Sequence, residues 1–146
     1  VILHAGLIAL PWAGRWRGVL LLGASGAGKS DLALRCLDLG FHLVADDRVV
    51  LWTSGDSLYG APPDSLAGLV EARGIGILRS PYRAWARVSL AIDCVATGGV
   101  ERLPDFQAFE ALGRPIPKLP LAWQEASAPT KLRHALIGLG LPRRTA

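Results

Sequence analysis

At 146 residues, 51% hydrophobic and 19% charged, the chain has the composition of a globular domain with a real core, which excludes disorder along its whole length. The formal charge of +4 is spread over Arg79, Arg83, Arg87 and the stretch after Arg114 instead of a dense basic stripe, so no nucleic-acid surface is expected. No apolar run approaches the roughly 18 residues of a membrane helix, and Cys36 and Cys94 show neither metal-ligand spacing nor a disulfide framework; they read as buried thiols of a cytoplasmic protein.

In chain order, Val1–Leu10 reads as a β-strand broken at Pro11. A loop through Trp12–Trp16 leads to a second strand, Arg17–Leu22, and the pair forms a hairpin. The apolar run Val19-Leu20-Leu21-Leu22 suits a buried strand, and Asp31–Leu37 has helical apolar spacing with Gly40 as its C-terminal cap. His42–Ala45 is a short strand ending at Asp46-Asp47, and Val49–Trp52 continues extended. Thr53–Asp56 is a turn, and Leu58–Gly60 precedes the loop Ala61-Pro62-Pro63.

The spacing then predicts a short helix over Leu66–Ala72, an interruption at Arg73–Ile77 and a strand over Arg87–Val95 that ends at Thr97-Gly98-Gly99. Val100–Leu103 reads as extended and Phe106–Leu112 as a single helix. Pro115, Pro117 and Pro120 hold the next stretch in loop or edge strand, and a last helix over Ala126–Ile137 leads into a basic tail, Gly138–Ala146. The five tryptophans are expected to fill core and interface space. A hairpin, a helix and then mostly strands point to an α/β domain with a mixed sheet, taken as a single domain over residues 1–146.

Between the hairpin and the first helix stands Gly23-Ala24-Ser25-Gly26-Ala27-Gly28-Lys29-Ser30, which matches the phosphate-loop pattern G-x-x-x-x-G-K-[ST] at every fixed position. Glycines let the backbone curl so that successive N–H groups face phosphate oxygens, and the positive end of the following helix adds to the attraction. In that role Lys29 neutralises the β/γ-phosphates and the Ser30 hydroxyl ligates Mg²⁺. Strand before and helix after favour this over a glycine-rich turn that binds nothing.

The reaction must be read from what converges on the loop. Asp46-Asp47 ends the first strand after the helix, and a strand beside the loop's own would bring that end to the γ-phosphate. One carboxylate can take a proton from an attacking hydroxyl while the other holds the metal, its water or its neighbour's protonation state; a solvated turn is the alternative. In Glu71-Ala72-Arg73-Gly74-Ile75-Gly76 the acid can complete a Mg²⁺ shell and Arg73 can touch phosphate, against the alternative of a surface ion pair beside a flexible turn. His4, inside an apolar strand, reads by itself as a satisfied core histidine, and Arg102 as a surface arginine.

Taken together, His4, GASGAGKS, the run LVADDRV from Leu43 and the run LVEARGIGIL from Leu69 resemble the catalytic domain of bacterial HPr kinase/phosphorylase, over most of Val1 to about Arg102. The length resembles the short, catalytic-domain-only forms of that family. The resemblance implies a P-loop fold related to that of phosphoenolpyruvate carboxykinase. It also implies a kinase that uses ATP or pyrophosphate with Mg²⁺ to phosphorylate a seryl residue of HPr, a phosphocarrier of sugar-transport systems, and assembly as a homo-oligomer, a hexamer in the family.

By the same resemblance His4, Lys29, Asp46, Asp47 and Arg102 are active-site residues, with Asp47 preferred over Asp46 for proton transfer. Ser30 and Glu71 are Mg²⁺ ligands. Four departures from the longer forms stand out: a longer hairpin loop between His4 and the phosphate loop, Ala5 in place of glycine, and, bearing most on activity, a shorter tail and no Gly-Arg after Pro117-Lys118, in the loop linked to dephosphorylation. These departures keep a second reading open, a nucleotide-responsive binding module with little turnover. A P-loop kinase of a small metabolite, the third, leaves LVADDRV and LVEARGIGIL without a reason.

Overall fold

The computed structural model describes residues 1–140, so most of the predicted basic tail lies outside the described residues. Among them the strands are β1 Ile2–Leu3, β2 Gly6–Trp12, β3 Arg15–Leu22, β4 His42–Ala45, β5 Val49–Ser54, β6 Ser57–Ala61, β7 Leu69–Ala72, β8 Gly76–Arg79, β9 Ala86–Val95, β10 Gln107–Ala111 and β11 Arg114–Ala122. Two α-helices, α1 Lys29–Leu37 and α2 Ala128–Ile137, complete the described residues. This is the mixed-sheet α/β architecture expected, with more strand and less helix.

One sheet runs β1-β5-β6-β9-β3-β2-β4, with β11 also on β9 and β10 on β11; β7 and β8 form a separate hairpin. β3 is parallel to β9 and β9 to β11, whereas β2 is antiparallel to both β3 and β4. The C-terminal ends of β3, β4, β9 and β11 therefore open on one sheet edge, where α/β sheets gather ligands. The strand carrying Asp46 at its end is not beside β3 as expected: β2 lies between them, and the carboxylate pair reaches the shared edge from one strand further away.

Alternate residues of β3 enter two cores. Val19 and Leu21 face a layer with Leu32, Cys36, Leu132 and Leu136 of the helices, while Leu20 and Leu22 face Leu7, Val49, Leu51 and Leu58. A strand buried on both faces has no solvent side to mark with polar residues, hence its unbroken apolar run. Each of these buried leucines contributes on the order of 1.5–3 kcal/mol.

Gly18 makes the close β3–β9 approach possible, since a Cβ there would sit 2.5 Å from the Arg87 carbonyl oxygen and 3.3 Å from a Leu7 methyl. Backbone on one side and packed core on the other cannot give way cheaply. Gly18→Ala is expected to lower stability by about 1–3 kcal/mol, read as an earlier urea midpoint with an unchanged slope.

Cys36 and Cys94 are buried free thiols, as expected. Burial pushes each up to about 12 from an ordinary 9.0, with only partial relief from Arg35 at Cys36 and from Lys29 at Cys94. A thiol whose folded-state value is raised holds its proton better in the folded chain, so its contribution to stability is whole below pH 9.0 and is lost as pH climbs to about 12. Both thiols should resist a thiol reagent at pH 8 in the folded protein and react promptly in denaturant; rapid labelling of the folded chain would contradict their burial.

Several local expectations are overturned. Pro11 does not end its strand: β2 continues to Trp12, because β4 stops pairing at Ala9 and leaves one side of β2 uncovered at the proline. The first strand breaks instead at His4, between β1 and β2. The helix expected over Leu66–Ala72 is a 3-10 turn at Asp64–Leu66 followed by β7, where Val70 and Ala72 point inward and Glu71 outward, the period-2 pattern of a strand.

Phe106–Leu112 is not a helix either. Gln107–Ala111 forms a hairpin with β11 through Leu112-Gly113, both at positive φ, the geometry of a type I′ turn. Val100–Leu103 forms no strand. Pro115 and Pro117 lie where β11 pairs β10, and Pro120 where it pairs β9, so each sits on a stretch with a single paired neighbour. No tryptophan fills the core: Trp12, Trp52 and Trp85 are exposed and Trp16 and Trp123 half-buried, the interior being aliphatic. No helix among the described residues is long and apolar enough to cross a membrane.

Candidate active site

The loop between β3 and α1 curls through Gly23, Gly26 and Gly28, all at positive φ, and Gly28 is the N-cap of α1. Lys29 opens the helix and is buried; its ammonium donates to the carbonyl oxygens of Gly23 (2.7 Å) and Ala24 (2.9 Å). Those two bonds fix the loop's curvature and use two of the three ammonium protons, leaving one for an anion. The loop's glycines and the amino end of α1 make the concave, donor-rich surface that suits phosphate.

The two aspartates have separate surroundings. Asp46, buried at the end of β4, accepts a hydrogen bond from Ser30 Oγ on Oδ1 (2.7 Å) and from the Glu71 amide on Oδ2 (3.0 Å). It ties the start of α1 to β7. Asp47 is exposed, with φ 70, a left-handed conformation that aspartate tolerates better than most residues. That turn leaves Asp46 pointing inward and delivers Asp47 to the cavity, where its Oδ1 lies 2.7 Å from His4 Nε2 and its Oδ2 3.6 Å from Arg48 Nε.

His4 is thus no core histidine. It is exposed in the break between β1 and β2 and engaged by Asp47 across 43 positions of sequence. The β7–β8 hairpin supplies the opposite wall: Glu71 and Arg73 flank the buried Ala72, and the turn is closed by the Ile75 amide on the Ala72 carbonyl (2.9 Å).

A cavity of about 390 Å³ brings these groups together, lined by His4, Ser25, Gly26, Gly28, Lys29, Ser30, Asp47, Glu71 and Arg73 among others. Asp46 stands behind Ser30, outside the lining. Arg102 is exposed on the segment between β9 and β10 and does not line the cavity. Five lining residues were not among the site residues expected from sequence: Asp31 and Leu34 on α1, Ala72 and Ile75 of the hairpin, and Trp123, just past β11. Trp123 carries no local signal, because only the β11–β9 pairing brings it to the loop.

Of the oxygen donors lining the cavity, the Asp31 carboxylate is paired with Arg35 and that of Asp47 with His4, which leaves the Ser25 and Ser30 hydroxyls and the Glu71 carboxylate for a divalent cation, with Asp46 already bonded to Ser30. All are hard oxygen donors, and no group of three or more His, Cys, Asp or Glu forms a closed metal cage among the described residues. Such a set fits Mg²⁺, which keeps waters and shares substrate phosphates instead of being enclosed by protein.

The fold and the cavity define an α/β protein with a phosphate-loop sequence at the carboxyl edge of a mixed sheet and one aspartate of the pair, Asp47, facing it. Residues 13–82, which include the loop, Asp46-Asp47 and Glu71–Arg73, match the model of the HPr Serine kinase C-terminal domain. HPr kinase/phosphorylase of Cupriavidus necator is 39% identical over 110 residues, covering 68% of this chain and 34% of that protein. That of Caldanaerobacter subterraneus is 46% identical over 100 residues, covering 66% and 32%.

Among solved structures, the Hpr(Ser) kinase/phosphatase from Coxiella burnetii superposes with a TM-score of 0.78 at 26% identity, over 94% of this chain and 88% of that one. Over residues 13–82 the chain is similar to the HPr kinase C-terminal domain family, and the likeness to the curated relatives and to the solved structure extends beyond that stretch. It spans about a third of the length of the curated relatives it matches.

Proposed function

We propose that the chain is an ATP- and Mg²⁺-dependent protein kinase that phosphorylates a seryl hydroxyl of an HPr-like phosphocarrier, in the control of sugar transport and carbon metabolism. One observation carries the reading: the Asp47 carboxylate, held by His4 at 2.7 Å, faces the same cavity as Lys29 and Ser30 of the phosphate loop. Acceptor proton and terminal phosphate would then meet in one place.

In the forward direction Asp47 takes the seryl proton as the hydroxyl oxygen bonds to the γ-phosphorus and the bond to the ADP oxygen breaks. His4 orients that carboxylate. Lys29 and the loop amides hold the phosphate oxygens as charge shifts among them, and Arg73 approaches them from the hairpin. Ser30 and Glu71 would hold Mg²⁺, which when bound neutralises the β- and γ-phosphate oxygens. Arg102 rests on the family pattern alone. In reverse, the protonated Asp47 would return its proton to the leaving seryl oxygen.

A homo-oligomer, hexameric by family resemblance, draws support from exposed Trp52 and Trp85, both in ring contact with Tyr59. The buried free thiols suit a reducing cytoplasm.

Incubation of the chain with HPr and γ-labelled ATP tests the proposal. Label in acid-stable phosphoserine on HPr is expected. ATP binding without any phosphoserine would favour the second reading, a nucleotide-responsive binding module. That reading draws on β11 passing through Trp123-Gln124 to α2 with no Gly-Arg, which also leaves the phosphorolytic direction without its family loop.

A further inference from the structure

Trp123 lies at the carboxyl edge of the sheet, one residue past β11, half-buried against the helix-side core. Its indole rests on the phosphate loop so closely that a methyl group built on Gly28 would overlap the six-membered ring. The residue is also fastened to the loop's helix. Arg35 of α1 donates to the Trp123 carbonyl, to the Glu125 carbonyl (3.2 Å) and to the Asp31 carboxylate (3.0 Å).

Gly28, Asp31 and Arg35 succeed one another along one stripe of α1, and Trp123 flanks that stripe where the helix begins. Among the residues lining the 390 Å³ cavity it alone offers a broad aromatic face, since His4 is engaged by Asp47.

We infer that Trp123 is the base platform of the nucleotide site: its indole stacks on the purine ring of a nucleoside triphosphate whose phosphates lie in the loop. The inference rests on the kinase reading and deepens it. A ribose and base that leave the phosphates over the first turn of α1 meet the indole, and a rigidly held indole supplies stacking at little cost in side-chain entropy. Stacking on an aromatic tolerates any base with a flat face, so this device favours nucleotides over bare polyphosphate more than it separates one purine from another.

The test compares two probes by titration calorimetry, Mg·ATP and inorganic tripolyphosphate, the second having the phosphates and no base. Trp123→Ala should weaken ATP binding roughly tenfold or more and leave tripolyphosphate binding within about twofold of wild type, and Trp123→Phe should restore most of the loss. Equal weakening of both probes means that the indole merely props the loop, and this overturns the inference. An unchanged ATP affinity overturns it as well. The wild-type chain separates this failure from that of the underlying reading: if it binds neither probe, the nucleotide site itself is wrong.

Discussion

Asp47→Asn is expected to lower transfer of the phosphoryl group to a seryl acceptor by about 10²–10⁴-fold, with nucleotide affinity near wild type. The reasoning starts from the backbone. Asparagine, like aspartate, accepts a left-handed conformation, so the φ of 70 at this position survives the change. The side chain is half exposed, and its amide oxygen can still accept from His4, so the fold has little reason to respond. What is lost is the ability to take a proton. Rate should fall while the Michaelis constant for ATP holds, the signature of an interaction made only in the transition state.

The neighbouring variant behaves differently. Asp46 uses both carboxylate oxygens as acceptors, one for Ser30 and one for the Glu71 amide. Asparagine has a single acceptor oxygen; kept on the Glu71 amide, it turns its NH₂ toward Ser30, which loses its charged acceptor and must itself accept, at a cost of about 1–3 kcal/mol. Asp46→Asn should therefore lower the melting temperature and raise the Mg²⁺ concentration needed for activity, because Ser30 loses its anchor. If Asp46→Asn abolishes transfer at full stability while Asp47→Asn is harmless, the roles assigned to the pair are reversed.

Lys29→Met is expected to reduce transfer by about 10²–10³-fold without unfolding the chain. Methionine keeps the length and apolar stem of a side chain that is only 7% exposed. The carbonyls it abandons belong to Gly23 and Ala24, exposed residues whose oxygens water can reach. What disappears is a positive charge beside the phosphate cradle, held in place before any substrate arrives. Circular dichroism should match wild type while ATP affinity and rate both fall. A variant with full activity would remove the loop from the mechanism.

The phosphate loop, its strand, α1 and β4 with its terminal acid pair were legible because each is encoded within about ten residues: an apolar run, a glycine pattern, a helical stripe. The two mistaken helices had apolar spacing that fits either period. Val70 and Ala72 inward with Glu71 outward, and the Leu112-Gly113 turn, become decisive only once the hairpin partners are known. His4 illustrates the limit of local reading. In an apolar stretch it looked like a core residue, yet the chain breaks there, and its partner Asp47 is 43 positions away. Family resemblance supplied what its surroundings in sequence could not.

Trp123 escaped both kinds of reading. It lies outside the matched stretch of residues 13–82, after three prolines that suggest a loop, and it reaches Gly28 only because β11 aligns parallel with β9. Arg102 is the reverse case: the family pattern names it, and the fold leaves it exposed and off the cavity.

The most direct test is a determined structure of the chain with Mg²⁺, a non-hydrolysable ATP analogue and a seryl acceptor bound. The account predicts the terminal phosphate against the loop amides and Lys29, with the Asp47 carboxylate within hydrogen-bond reach of the acceptor hydroxyl on the side opposite the ADP oxygen. An acceptor whose hydroxyl lies out of reach of Asp47, or a triphosphate seated anywhere but the loop, would contradict it.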